Sequence, residues 1–182
     1  MKWVLASLLA CLAAAGAQAS GVGAAGAPAA PVQRTALPGP LDPDNFLARI
    51  TRGELPAARL YEDERVIAVL ADRPSARGHF MVWLKQSDAR DLLEISSADL
   101  SHVMSIVQRI ARAEVAVLGA QGITLRQNNG VASNIHQFHV HVIPRWAGDR
   151  LPDSPPPPVD FAGLSELAAR IRAAMAAHPS NN

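Results

Sequence analysis

The feature that most constrains the fold is an alternation of side-chain types late in the chain, between His136 and Ile143. Successive side chains of a β-strand point to opposite faces, so a strand here places Gln137, His139 and His141 together on one face. The apolar residues between them face the other way, with His136. This pattern predicts a strand with one core-facing side and one side carrying two imidazoles.

The two imidazoles of His139 and His141 are expected to lie roughly 6 to 7 Å apart, from a strand rise of about 3.3 Å per residue. A neutral imidazole is a nucleophile, and a protonated one can donate a hydrogen bond to phosphate. Three interpretations stay open on these residues alone: half-buried structural histidines, a metal-binding pair, or a catalytic pair.

Other segments predict an α+β domain. Residues 65–71 and 79–84 are rich in Val, Ile, Met and aromatic residues and predict two neighbouring strands. Two further strands are predicted over Ile123–Gln127 and Ile135–Ile143, and Pro144 ends the second of these. Three helices are also predicted. The first starts at the N-cap Asp42, followed by Pro43, and ends by Gly53. The second is long and runs from a capping box at Ser96 and Asp99 to Gly119, and the third covers Phe161–Ala177.

The termini differ from the domain in composition. Residues 1–19 combine Lys2, an apolar run and Ala17-Gln18-Ala19, which predicts a cleaved signal peptide and export, to a bacterial periplasm or the medium. Residues 20–41 are rich in Ala, Gly and Pro and predict a flexible linker. We expect the folded domain over 42–150 and a Pro-rich linker with a terminal helix over 151–182.

Charge and cysteine content exclude several classes of function. The chain has 17 Lys+Arg and 16 Asp+Glu, so loss of Lys2 with the signal peptide leaves 16 − 16 = 0. A neutral protein is not expected to bind nucleic acid. The single cysteine, Cys11, excludes an intramolecular disulfide and a cysteine-built zinc site. Once the signal peptide is removed, no stable membrane insertion is expected.

Five segments, in order and spacing, resemble the histidine triad (HIT) family of nucleotide-binding proteins. They cover roughly Asp44 to Arg145 and are Gly53-Glu54-Leu55-Pro56-Ala57-Ala58, Tyr61-Glu62-Asp63, Asp72-x-x-Pro74-x-x-x-Gly78-His79, Asn128-Asn129-Gly130 and Phe138-His139-Val140-His141-Val142-Ile143-Pro144-Arg145. The resemblance implies a HIT-like α+β fold with a mainly antiparallel sheet, a long helix packed on it and a homodimeric assembly.

The resemblance also implies roles for individual residues. His139 would be the nucleophile that attacks the α-phosphorus of a nucleotide. The supporting residues would be His141 and Asn128 on the phosphate, Ser133 on the phosphate or the leaving group, Asp72 on the ribose hydroxyls, and His79 in a polar relay behind the nucleophile. We expect His139 to face the surface, so that its replacement removes turnover and leaves the fold intact.

The sequence departs from the family pattern at three places, one of which is a shortened stretch between Asn128 and the triad. The first triad position is Gln137 instead of histidine, and we expect its amide to orient His139 through hydrogen bonds. Zinc-binding members carry Cys-x-x-Cys near the start of the domain, where this chain has Asn45 and Ala48. No zinc or other cofactor is implied.

These features favour a nucleotidyl hydrolase or transferase acting on nucleoside phosphoramidates, dinucleoside polyphosphates or similar nucleotide conjugates. The alternative is an exported nucleotide-binding module with weak or vestigial activity, suggested by Gln137. A third hypothesis is a metal-dependent hydrolase using His79, His139 and His141. The expected partners are a nucleotide-type small molecule and a second copy of the chain.

Overall fold

The computed structural model describes residues 39–152 and 157–177, which form a sheet flanked by helices. The predicted signal peptide, most of the 20–41 linker and residues 153–156 lie outside the described residues. Five strands form one sheet in the order β1-β2-β3-β5-β4, with every neighbouring pair antiparallel. The strands are β1 (Arg59–Glu62), β2 (Val66–Leu70), β3 (Phe80–Leu84), β4 (Gly122–Arg126) and β5 (His139–Arg145). The predicted α+β class is confirmed.

Strand β5 differs from its predicted bounds at both ends. It begins at His139, so Gln137 precedes the strand, and it continues through Pro144 to Arg145. Pairing with β3 reaches only Val142, whereas pairing with β4 includes Pro144 and Arg145. Proline is tolerated there because its missing N–H falls on the side of β5 that has no partner strand.

The helices are α1 (Phe46–Thr51), α2 (Ser97–Leu118) and α3 (Phe161–Ala177), with a 3₁₀ turn at Gly130–Ala132. Helix α2 confirms the predicted N-cap, since Ser96 Oγ accepts from the Asp99 N–H, but the Asp99 carboxylate accepts from Ser96 Oγ and does not complete the capping box through the Ser96 N–H. Its end at Gly119, with φ of 65°, needs the left-handed conformation that glycine adopts without strain. No helix in the described part of the chain is long and apolar enough to cross a membrane.

Helix α1 starts later than predicted. The N-cap is Asn45, whose side-chain oxygen accepts from the N–H groups of Leu47 and Ala48. Asp42 instead closes the preceding turn by accepting from the Asp44 N–H. The side chain of an Asp or Asn can either cap a helix or close a turn, so the prediction of Asp42 as the N-cap was wrong.

Apolar side chains cover both faces of the sheet. On one face, Phe80, Val82 and Val140 pack with α2 and α3 in the larger core. On the other, a smaller cluster joins α1 to residues such as Met81 and Trp83. The histidine-bearing face of β5 lies on the same side of the sheet as this second cluster.

Candidate active site

The register of β5 places its histidines on the face opposite the larger core. His139 is paired with Trp83 and His141 with Met81, while Val140 belongs to the larger core. The predicted alternation is therefore confirmed. His139 is only 2% exposed, however, so the expectation of a surface-facing imidazole is wrong. Its register partner Trp83 packs in the cluster that includes Leu47 and Ile50 of α1, a neighbourhood that the local sequence pattern does not reveal.

A single backbone contact orients the His139 ring. His139 Nδ1 lies 2.7 Å from the Gln137 carbonyl oxygen, which can only accept, so Nδ1 carries the proton. The other ring nitrogen, Nε2, therefore keeps its lone pair. Burial lowers the pKa of His139 below its ordinary value of 6.5, although the Gln137 carbonyl acts in the opposite direction. The result is a neutral imidazole at pH 7 with one nitrogen available as a nucleophile.

A hydrogen-bonded chain behind His141 fixes its tautomer. The Ser75 backbone N–H donates to His79 Nδ1 over 3.0 Å, so His79 carries its proton on Nε2. That Nε2–H donates to His141 Nδ1, also over 3.0 Å, which leaves His141 protonated on Nε2. Burial lowers the pKa of His79 to about 4 and, together with repulsion from His139 and His79, that of His141 to about 3.

The relay predicted from His79 therefore serves a different residue. It lies behind His141 and not behind the nucleophile candidate His139. The rings of His139 and His141 meet edge to face, with centroids 4.9 Å apart. The pair combines a neutral nitrogen lone pair with a neutral N–H donor, a combination suited to attack on a phosphorus atom beside an anionic oxygen.

Gln137 acts differently from the expectation. Its side-chain oxygen accepts from Asn45 Nδ2 over 2.8 Å, and its amide donates to the Leu84 carbonyl over 3.3 Å. The amide is thus bonded to other groups and does not orient the His139 ring. That orientation comes from the Gln137 backbone carbonyl, which any residue type supplies.

At the two positions where zinc-binding members have cysteines, this chain has a hydrogen-bonded Asn45 and an alanine, Ala48. Asn45 caps α1 and bonds Gln137, while Ala48 offers no ligand atom. Among the described residues, no group of three or more His, Cys, Asp or Glu side chains is arranged to hold a metal ion.

The predicted ribose contact, Asp72, borders a small cavity of about 30 Å³ between α1 and α3. Phe46, Met81 and Phe161 also line this cavity, and Met81 is the register partner of His141. The cavity therefore adjoins the histidine pair through the next strand of the sheet. The cavity has room for about one water molecule and is too small for a nucleoside, and the Asp72 carboxylate is exposed beside it.

The two predicted phosphate contacts in the loop before β5 differ in availability. The Asn128 side chain makes no hydrogen bond within the described part of the chain. The Ser133 hydroxyl donates to the Ile135 carbonyl over 2.7 Å and accepts from the Ile135 N–H. Asn128 is free to bind a ligand, whereas Ser133 would have to exchange a backbone partner for one.

Sequence reasoning missed two contributors to the site. The Ser75 N–H acts through the backbone, so its residue type carries no signal. Asn45 was recognised only as a missing cysteine, although an Asn directly before Phe46 and Leu47 is an N-cap signal that could have identified it.

Comparison with known proteins supports these observations. The profile of the HIT domain matches residues 52–148, more than half of the chain. This chain belongs to the HIT family. The crystal structure of a HIT-like protein from Bartonella henselae, described as involved in cell-cycle regulation, is 37% identical with a TM-score of 0.69. The similarity covers 75% of this chain and 99% of that one, so the HIT fold is confirmed.

Two curated HIT relatives carry names that state an activity. An adenylylsulfatase of Arabidopsis thaliana is 31% identical over 119 residues, covering 61% of this chain and 60% of that protein. An adenosine 5'-monophosphoramidase of Schizosaccharomyces pombe is 28% identical over 137 residues, covering 70% and 98%. Both names describe hydrolysis of a bond to an adenylate group.

Proposed function

We propose that this HIT protein is a nucleotidyl hydrolase or transferase that uses His139 as its nucleophile. Its substrates are nucleoside phosphoramidates, dinucleoside polyphosphates or related conjugates in which the α-phosphate of a nucleotide carries a leaving group. The names of the two adenylate-cleaving relatives support this reaction class.

One observation carries the proposal. The Gln137 carbonyl holds the proton of His139 on Nδ1, and burial keeps the ring neutral, so Nε2 has a free lone pair at neutral pH. A histidine nucleophile needs both conditions, because a protonated ring has no lone pair and a rotating ring is poorly aligned.

The reaction follows from this geometry in two steps. His139 Nε2 attacks the α-phosphorus, and the bond from phosphorus to the leaving group breaks with its electron pair going to the leaving group. The leaving group takes up a proton from solvent where its basicity requires one. Water then attacks the nucleotidyl group on His139, and the phosphorus–nitrogen bond breaks with its electron pair returning to Nε2. The water's proton passes to solvent, and the nucleoside monophosphate is released. In both steps His141 Nε2–H donates a hydrogen bond to a phosphate oxygen.

The decisive test compares wild type with His139→Asn. Asparagine retains a side-chain N–H that can donate to the Gln137 carbonyl but offers no nucleophilic nitrogen. We expect AMP release from adenosine 5'-phosphoramidate and adenosine 5'-phosphosulfate to fall by about a thousandfold or more, roughly 4 kcal/mol of barrier. Trapping with labelled substrate should give an acid-labile adenylyl adduct in wild type alone.

Two outcomes would contradict the proposal. Turnover by His139→Asn near the wild-type rate would show that another group attacks phosphorus. Tight AMP binding without release of AMP from any conjugate would identify the protein as a nucleotide-binding module. Thermal denaturation of the variant is needed as a control, because His139 is buried and a poorly tolerated replacement would lower activity through unfolding.

We further propose that the mature protein is exported and forms a homodimer. Export rests on residues 1–19, and dimerisation rests on the family resemblance. In the described sheet β4 is an edge strand whose outer backbone groups have no partner strand, and such an edge favours association. Light scattering on the mature protein should give twice the monomer mass.

A further inference from the structure

A row of side chains runs across the sheet through His141. Val69 is the register partner of Met81, Met81 of His141, and His141 of Arg126 on β4. Residues directly opposite each other in antiparallel strands project to the same face, with Cβ atoms about 5 Å apart. Arg126 therefore flanks His141 on the side away from Met81.

No described residue provides a counter-charge to the guanidinium of Arg126. It is exposed and makes no ion pair or hydrogen bond within the described part of the chain. Arg145, further along the same face, is by contrast held by Asp149 over 2.6 Å. Arg126 is close enough to the site for its charge to lower the pKa values of both His79 and His141.

The two flanks of His141 are chemically different. On the Met81 side lies the exposed Asp72 carboxylate, the predicted ribose contact, beside the small cavity that Met81 also lines. On the Arg126 side lies a cation on the edge strand that no described residue pairs. A substrate whose α-phosphate contacts His141, with its nucleoside towards Met81, extends its remaining part towards that cation.

We propose that Arg126 is a specificity-determining residue that binds an anionic leaving group attached to the α-phosphate. This inference rests on the proposed nucleotidyl transfer and narrows its substrate class. The favoured substrates are mixed anhydrides that join a nucleotide to sulfate or to further phosphate. Conjugates with an uncharged leaving group, such as simple phosphoramidates, gain nothing from this cation.

The test measures kcat/KM for adenosine 5'-phosphosulfate and adenosine 5'-phosphoramidate in wild type and Arg126→Gln. A charge-assisted hydrogen bond to an anion contributes enough that the ratio of the two constants should fall by about fivefold or more. Arg126→Lys should recover part of the ratio. Arg112→Gln, which removes an exposed arginine from α2 on the opposite side of the sheet, should leave the ratio unchanged.

A binding measurement tests the role of Arg126 independently of the proposed catalysis. In a His139→Asn background, the affinity for adenosine 5'-phosphosulfate relative to AMP should fall on Arg126→Gln, whether or not wild type turns over. A smaller change than about fivefold in both ratios would overturn the assignment of Arg126. If wild type releases AMP from no substrate but the affinity ratio still depends on Arg126, only the catalytic proposal is overturned.

Discussion

The buried carboxyl group of Glu114, on α2, allows a quantitative prediction of how stability depends on pH. Its side chain is 0% exposed, and neither carboxyl oxygen has a hydrogen-bond partner among the described residues. It lies against the turn before β3, where a Cβ on Gly78 would be 3.1 Å from Glu114 Oε1. Burial raises the pKa of this carboxyl from 4.5 to about 9. We expect Glu114→Gln to stabilise the protein at neutral pH.

The magnitude follows from proton linkage. The folded state holds Glu114 protonated up to about pH 9, whereas the unfolded chain releases this proton near pH 4.5. Folding therefore takes up a proton, and stability falls as pH rises between these two values. At about 1.4 kcal/mol per pH unit, the interval from 4.5 to 7 amounts to about 3 kcal/mol. Glutamine cannot ionise and avoids this loss.

The assay is urea denaturation of the mature wild type and Glu114→Gln at pH 5, 7 and 8.5. The difference in unfolding free energy should be small at pH 5 and should widen by about 1.4 kcal/mol per unit above it. Titration of the buried histidines is common to both proteins and cancels. Glu166→Gln, at an exposed position of α3, serves as a control with no such widening. A difference independent of pH would refute the reasoning, because it would mean that the Glu114 carboxylate ionises in the folded state.

Four further results are expected. The kcat/KM for adenosine 5'-phosphosulfate should stay constant as pH falls through 6.5 and decrease only at lower pH, because burial depresses the pKa of His139; half-maximal activity at 6.5 or above would contradict this. Gln137→His should change kcat by no more than about tenfold, roughly 1.4 kcal/mol, and a gain of about a hundredfold would mean that a titrating imidazole is required there. Asn45→Ala should lower the unfolding free energy by about 2 to 4 kcal/mol in urea titrations, since it removes a cap and leaves a buried oxygen unpaired, whereas Asn45→Ser should retain the cap without adding a buried charge and lose less. Mass spectrometry of exported protein should show a chain starting near Ser20, and an intact N-terminal methionine would contradict cleavage after residue 19.

Local periodicity explains what the sequence could predict. The faces of β5 and the length of α2 depend on neighbours a few residues away, so alternation and a capping box are sufficient to predict them. The limits of β5 were less predictable, because Pro144 is tolerated only where the strand has a single partner. The burial of His139 depends on residues distant along the chain, such as its register partner Trp83.

Backbone contacts determine the features of the site that the sequence did not predict, the tautomers of its histidines. The Ser75 N–H selects the tautomer of His79 and, through it, that of His141. The Gln137 carbonyl does the same for His139. Main-chain groups are identical in every residue except proline, so the residue types at 75 and 137 did not reveal these contacts.

The same distinction explains why a glutamine at the first triad position is compatible with an active site. If the side chain at this position oriented the nucleophile, its replacement would alter the His139 ring directly. Here the carbonyl of Gln137 performs that function, and the side chain is left to join β3 and the cap of α1 through Leu84 and Asn45. An amide suits that task because it can donate and accept at once, whereas a neutral imidazole would have to do so through two ring nitrogens at fixed positions. We therefore expect residue 137 to affect turnover only indirectly, through the placement of the segment that carries the carbonyl, so substitutions that keep this segment in place should preserve the proposed reactivity of His139.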